Sequence, residues 1–288
     1  MEGIVTVLKP PGMTSSNAVY DVRRIFGIKK VGHLGTLDPG AAGVLPVCLG
    51  RATHLFEYLV DKEKTYIAEI TFGISTDTLD SYGTVTCTEP DADIAEDRLQ
   101  SVLPQFTGAI RQIAPAYSAL KVDGRPMYDL ARAGEEVPER VRDAFISELT
   151  LVRKIAKNRY LLKVRCSRGT YIRTLCCDIG NALGVPAMMS FLLRTESGPF
   201  KLESAFSVAE LTERTERGTL EETVISCEQA LAAFPALQLR EDRRKATMNA
   251  LETNLPHTED GIYRVYCGGF LGLGEVHKSA VRLTVHLY

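Results

Sequence analysis

Apolar residues recur at helical spacing just after Ser16, where Ala18, Val19, Val22, Ile25 and Phe26 share one face. Thr14-Ser15-Ser16 supplies hydroxyls to cap that helix, and Gly27 ends it. A period of two marks Tyr66 to Phe72: Tyr66, Ala68, Ile70 and Phe72 face one way, Ile67, Glu69 and Thr71 the other. Tyr160 to Cys166 alternates in the same manner. A second amphipathic helix follows, with Ile172, Leu175, Cys176, Ile179, Ala182 and Leu183 on one face and Gly184 and Pro186 to stop it. Val5 to Leu8 reads as a short strand running into a Lys9-Pro10-Pro11-Gly12 turn, and Glu96 to Leu103 as a further helix. Alternating, half-buried strands favour antiparallel pairing, so the expected class is α+β: a mixed, mainly antiparallel sheet flanked by helices and loops.

Between Ala114 and Val137 the pattern breaks into a Pro-, Gly- and Tyr-studded stretch, predicted to be a loop with a short helix that exposes Tyr117, Lys121 and Arg132. After Ser226 the chain changes again, and Pro235-Ala236-Leu237 opens a strand-rich tail of about fifty residues. The 288 residues therefore divide into a body at 1–235, with an insertion near 107–145, and a small β-rich unit at 236–288.

Composition narrows the choices further. There is no charged-then-apolar leader and no apolar run long enough for a membrane span, which points to a cytoplasmic protein without membrane contact. Seven cysteines with no C-x-x-C spacing read as reduced, core-like thiols, and no metal site is expected. The net charge is −2, yet eight basic residues and no acidic one lie between Glu148 and Asp178, a segregation that would present a positive face to phosphates. Neither a phosphate-cradling Gly-Lys-Ser/Thr loop nor a dinucleotide fingerprint occurs, so no cofactor is expected. No self-complementary apolar stripe argues for an oligomer, leaving a monomer with no protein partner.

The chemistry concentrates at Gly32 to Val47, a run whose single charge is Asp38. Gly and Pro on both sides let the backbone bend around that carboxylate and approach a ligand closely. A turn aspartate bonded to its own backbone would look the same, so the loop alone leaves both readings open. Asp38 has no acid within 15 residues on either side, which disfavours paired-carboxylate glycoside hydrolysis. Arg173 lies off the apolar face at the start of its helix, where the helix dipole disfavours a cation, and so calls for a carboxylate from elsewhere.

Lys9-Pro10-Pro11-Gly12-Met13-Thr14-Ser15, Gly32-His33-Leu34-Gly35-Thr36-Leu37-Asp38-Pro39 with Gly43-Val44-Leu45-Pro46, Lys64-Thr65-Tyr66, Ser167 to Arg173, and Phe191 to Thr195 together resemble the TruB-type tRNA pseudouridine synthases. The resemblance covers residues 9–195, and the tail is similar to a PUA domain. It implies that a uridine in the T-loop of tRNA, position 55 by convention, is flipped out, cut from its sugar, rotated and rejoined through carbon. Asp38 would be the catalytic carboxylate, with Arg173 as its charge partner and Tyr66 stacked on the flipped base and placed for proton transfer at the sugar. His33 would touch the extruded loop, Tyr171 and Leu192 would line the pocket, and Lys9 would buttress it. The partner implied is the T-arm and elbow of tRNA. Leu34, where the family more often has Thr, Met188 in place of a His, and Asn249-Ala250 in place of Asn-Gly depart from the pattern. A non-catalytic tRNA-folding chaperone, or a glycosidase that lets water capture the sugar, would share parts of this equipment.

Overall fold

A computed structural model describes residues 1–60 and 62–288. Its centre is a ten-stranded sheet whose main path runs Val224–Ile225, Gly3–Lys9, Ala42–Leu49, Ala187–Ser197, Lys64–Phe72, Arg159–Cys166, Val141–Ala156 and Gly108–Ile113. Neighbours are antiparallel except at one seam, where Leu193 and Arg194 pair in parallel with Ala42 and Gly43. The sheet is thus mixed and mainly antiparallel, as the alternation of its strands required.

The Ser15–Phe26 helix begins at Thr14, whose side chain accepts from the Asn17 amide, and ends at Gly27 in the left-handed region. It packs Ala18 and Val22 against Val5, Val7, Leu45 and Val47. On the other side of the seam the Ile172–Leu183 helix buries Leu175, Cys176 and Ile179 against Ala68, Ile70, Leu162 and Val164. Both helices therefore sit where their apolar spacing placed them, one against each half of the sheet.

Gly43 shows why the seam needs a residue without a side chain. Its φ is +113°, and a Cβ there would lie 2.2 Å from the carbonyl oxygen of Arg194. Close approach of the two parallel strands brings the loop before Ala42 directly against Arg194.

Residues 114–140 form more than a loop. Lys121–Val122 and Arg125–Pro126 pair as a small hairpin, and Met127–Arg132 is a short helix. Lys121 and Arg132 are exposed as expected, while Tyr117 is half-buried. The positive face is weaker than the charge pattern predicted. Arg159 pairs with Glu69, Lys163 with Glu148, Arg165 with Glu63 and Arg173 with Asp38, so four of the eight bases meet carboxylates among the described residues. The cysteines are free; Cys87 is exposed, against the core-like reading, because its strand Val85–Thr88 lies at the surface.

A separate five-stranded sheet spans Ala236–His286 in the order Ala236–Gln238, Gly261–Tyr266, Phe270–His277, Ala280–His286, Thr253–Asn254. It has its own core around Val265, Leu271, Val276 and Leu283. Its Leu273 and Val285, however, pack in one cluster with Ile4, Cys48, Leu55 and Leu231 of the body. Among the described residues no helix is long and apolar enough to cross a membrane.

Candidate active site

Asp38 lies in the loop between the Val31–His33 and Ala42–Leu49 strands, and buried side chains hold that loop from three sides. Ser15 Oγ donates to the Leu37 carbonyl at 3.0 Å and accepts from the Leu37 amide at 2.9 Å. Lys9 Nζ donates to the carbonyls of Met13 (2.7 Å), Pro10 (2.9 Å) and Pro39 (3.3 Å). Arg194 donates to the carbonyls of Val44 (2.7 Å), Gly35 (3.1 Å) and Thr36 (3.4 Å). The loop backbone next to the carboxylate is therefore bonded on both sides of it. Such a frame supplies the preorganisation that a reacting group needs.

Arg173 finds the partner its position demanded. Its Nε is 3.0 Å from Asp38 Oδ2, with the Arg173 side chain 6% exposed and that of Asp38 40% exposed. The rest of the guanidinium is engaged too: Nη1 donates to the Thr78 carbonyl at 3.1 Å and Nη2 to the Tyr117 carbonyl at 2.9 Å. Asp80 approaches Arg173 Nη1 at 3.9 Å and is itself fixed, its Oδ1 accepting from Thr78 Oγ1 and the Tyr82 amide. The ion pair engages Oδ2, and with its side chain 40% exposed the Asp38 carboxylate stays open to the cleft.

Two adjoining hollows meet at that carboxylate. One, of about 360 Å³, is lined by His33, Asp38, Tyr66, Tyr171, Arg173, Leu192 and Arg194 among others. The second, of about 540 Å³, shares His33, Asp38 and Arg173 and extends past Asp80, Tyr82, Tyr117, Tyr128 and Arg132. Both volumes suit a nucleoside-sized ligand. Of the residues expected at the site, only Lys9 is absent from these walls; it is wholly buried behind the Asp38 loop and acts on the backbone.

The electrostatics follow from burial beside fixed cations. Burial pushes the Lys9 ammonium down to about 8; Asp38 opposes that shift and Arg194 adds to it. Burial also lowers His33, with Arg194 acting the same way, so its imidazole favours the neutral form. Tyr66 is pushed above the usual phenol value by burial, while Arg194 pulls against that shift. Tyr171 is held by its backbone, exchanging bonds with the Gln112 amide group at 3.0 and 3.1 Å.

Three members of the site were not singled out from the sequence. In the sequence Ser15 reads as a capping hydroxyl; in the structure Thr14 caps the helix and Ser15 turns to Leu37. Arg194 stood inside a quoted motif; a lone cation in the apolar run Phe191-Leu192-Leu193 was the available signal. Asp80 carried none, since it reaches the site only because its loop meets Met189.

With this geometry in place, comparison with known proteins is decisive. Residues 23–172 match the family described as "TruB family pseudouridylate synthase (N terminal domain)", and residues 173–232 match "tRNA pseudouridylate synthase B C-terminal domain". The chain belongs to the TruB family. It is 45% identical over 277 residues to tRNA pseudouridine synthase B of Pelotomaculum thermopropionicum, covering 95% of this chain and 88% of the other. The protein of the same description from Caldanaerobacter subterraneus subsp. tengcongensis is 44% identical over 285 residues, 98% of each chain. Among solved structures, an H/ACA RNP bound to a substrate RNA containing 2'-deoxyuridine superposes with a TM-score of 0.76 at 25% identity, over 99% of this chain and 85% of that one. A Cbf5-Nop10-Gar1 complex gives 0.73 at 27%, over 95% and 78%. As a TruB-family member the chain is a pseudouridine synthase, an isomerase. The family matches end at residue 232, before the small sheet.

Proposed function

We propose that this chain converts uridine 55 in the T-loop of tRNA to pseudouridine, with Asp38 as the catalytic carboxylate. The observation that carries the reading is the Asp38–Arg173 pair at 3.0 Å, set at the junction of two hollows with Tyr66 and Leu192 in one wall. The arginine balances one oxygen of Asp38, and the other is free to act on the sugar or the base. A uridine extruded into the smaller hollow meets the Tyr66 ring on one side and Leu192 below it. Stacking of a base on an aromatic ring contributes about 1–3 kcal/mol, which offsets the few kcal/mol of unstacking. Tyr66 carries its hydroxyl to the same place, where it serves proton transfer at the sugar, and His33 and Tyr171 close the sides.

Lys121 and Arg132, on the 114–140 arm beside the larger hollow, are placed for phosphates of the folded T-loop, because RNA loops are read through shape and splayed bases. The small sheet at 236–286 is the PUA-like unit in this scheme and takes a further part of the tRNA. The chain acts as a monomer in the cytoplasm and needs no cofactor.

The deciding experiment is tritium release from tRNA labelled at C5 of uridine, with wild type and Asp38→Asn side by side. Release by the wild type alone, with Asp38→Asn binding tRNA within about threefold and slowed by at least ~10³-fold, supports the assignment. Turnover by pure Asp38→Asn would remove Asp38 from the chemistry. Free uracil among the products would indicate a glycosidase, and tRNA refolding without release by either protein a chaperone.

A further inference from the structure

Arg194 is 1% exposed, yet among the described residues the carboxylates of the site pair with Arg173 and none pairs with Arg194. Burying a guanidinium costs several kcal/mol after relaxation, and backbone carbonyls compensate it only in part. The three carbonyls it meets belong to the Asp38 loop and to Val44, so a stapling role accounts for one N–H on each of its three nitrogens. Arg carries five N–H donors, and two remain.

The register places Tyr66 within reach of them. Arg194 stands directly opposite Tyr66 in the antiparallel pairing of the Ala187–Ser197 and Lys64–Phe72 strands. Direct partners project to the same face with Cβ atoms about 5 Å apart. Both side chains also line the smaller hollow beside Asp38. We propose that Arg194 is the positioning residue of Tyr66: its guanidinium holds the phenol oxygen in place and offsets negative charge there when Tyr66 exchanges a proton. The inference rests on the role given to Tyr66 above and extends it to a residue that touches no substrate.

Titration agrees with this placement. The groups acting on the Tyr66 phenol are Arg194, whose positive charge lowers it, and Cys166 and Asp38, which raise it; burial outweighs them all. The same cation helps to keep His33 neutral. A lysine would keep the charge but not the planar fork that spans Gly35, Thr36, Val44 and Tyr66 at once.

The test uses the full chain with 13C at the tyrosine ζ carbon and 15N in arginine side chains. Tyr66→Phe is expected to shift the Arg194 guanidinium resonances. Arg194→Lys is expected to shift the Tyr66 signal and raise the pH at which it titrates. In single turnover Arg194→Lys should slow isomerisation by about 10–100-fold with tRNA affinity within threefold, and the alkaline limb of its rate profile should move upward. In the Tyr66→Phe background the same substitution should cost less than about threefold more, since both changes act through one hydroxyl. A folded Arg194→Lys whose Tyr66 signal and rate profile match wild type, or losses that multiply in the double variant, would overturn the proposal. If Arg194→Lys does not fold, Tyr66→Phe decides: unmoved Arg194 resonances end the proposal. Absence of tritium release by the wild type would defeat the assigned activity instead, and leaves the resonance test standing.

Discussion

Beneath Asp38, the side chains of Lys9, Ser15, Arg173 and Arg194 are all less than 7% exposed, and each reaches backbone groups far along the chain. Across the cleft, the arm at 114–140 is held by an exposed Arg125–Glu135 pair, a short hairpin and two buried anchors, Met127 and Leu130. Exposed ion pairs contribute little, about 0–1 kcal/mol, so the arm is held less firmly than the floor. Arg173 touches both, bonding Asp38 on one side and the Tyr117 carbonyl on the other. On the proposed function, the contrast separates two requirements: bond-making needs a carboxylate fixed to a fraction of an ångström, whereas admitting a folded RNA loop needs a wall that moves.

Cutting the link between the two regions is the harshest way to test that contrast. Arg173→Met should lower single-turnover isomerisation by about 10²–10³-fold, the cost of one preorganised electrostatic partner. It should also raise protease sensitivity within 114–140; a normal rate would mean that Asp38 needs no fixed cation. Next comes the floor alone. Gly43→Ala forces a Cβ against the Arg194 carbonyl at a positive φ and should cost about 2–4 kcal/mol in urea unfolding. An unchanged midpoint would show that the seam is softer than its spacing implies. The arm alone should behave in the opposite way. Lys121→Glu with Arg132→Glu should weaken tRNA binding about tenfold at moderate salt and flatten its salt dependence, with stability within about 0.5 kcal/mol. Unchanged affinity would take the arm out of recognition.

The smallest effect concerns pH. Lys9 is lowered from 10.5 to about 8 in the folded chain, so between those values the unfolded chain holds more protons. Stability contributed by this group therefore rises with pH across that window, and the burial penalty is felt in full below it. Subtracting the urea midpoints of Lys9→Met from those of wild type at pH 7.5, 8.5 and 9.5 should isolate a rising difference. A flat difference would place the Lys9 titration elsewhere.

Local pattern carried the elements well because strands and helices announce themselves within ten residues. The caps at Thr14 and Gly27, the one-faced strand at Tyr66 and the unmet charge of Arg173 are all of that kind. What stayed hidden depends on pairings across long separations. Glu63 neutralises Arg165 from 102 residues away, so the basic run looked more open than it is. Arg194 bonds Gly35 from 159 residues away, and nothing near position 194 reveals that its strand runs parallel to Ala42–Leu49. The site residues Asp38, His33, Tyr66, Tyr171, Arg173 and Leu192 converge on one cavity wall, while Lys9 works from behind it.

The shared cluster of Leu273 and Val285 with Ile4 and Leu231 has a consequence for distance. A small sheet seated on the body by common core residues cannot swing on a tether. On the function proposed above, the part of the tRNA that this sheet takes is set at one span from Asp38, which makes the molecule a gauge of substrate length as well as of shape. Trimming the chain at residue 235 would bare that apolar seat, so the gauge and the body would lose stability together.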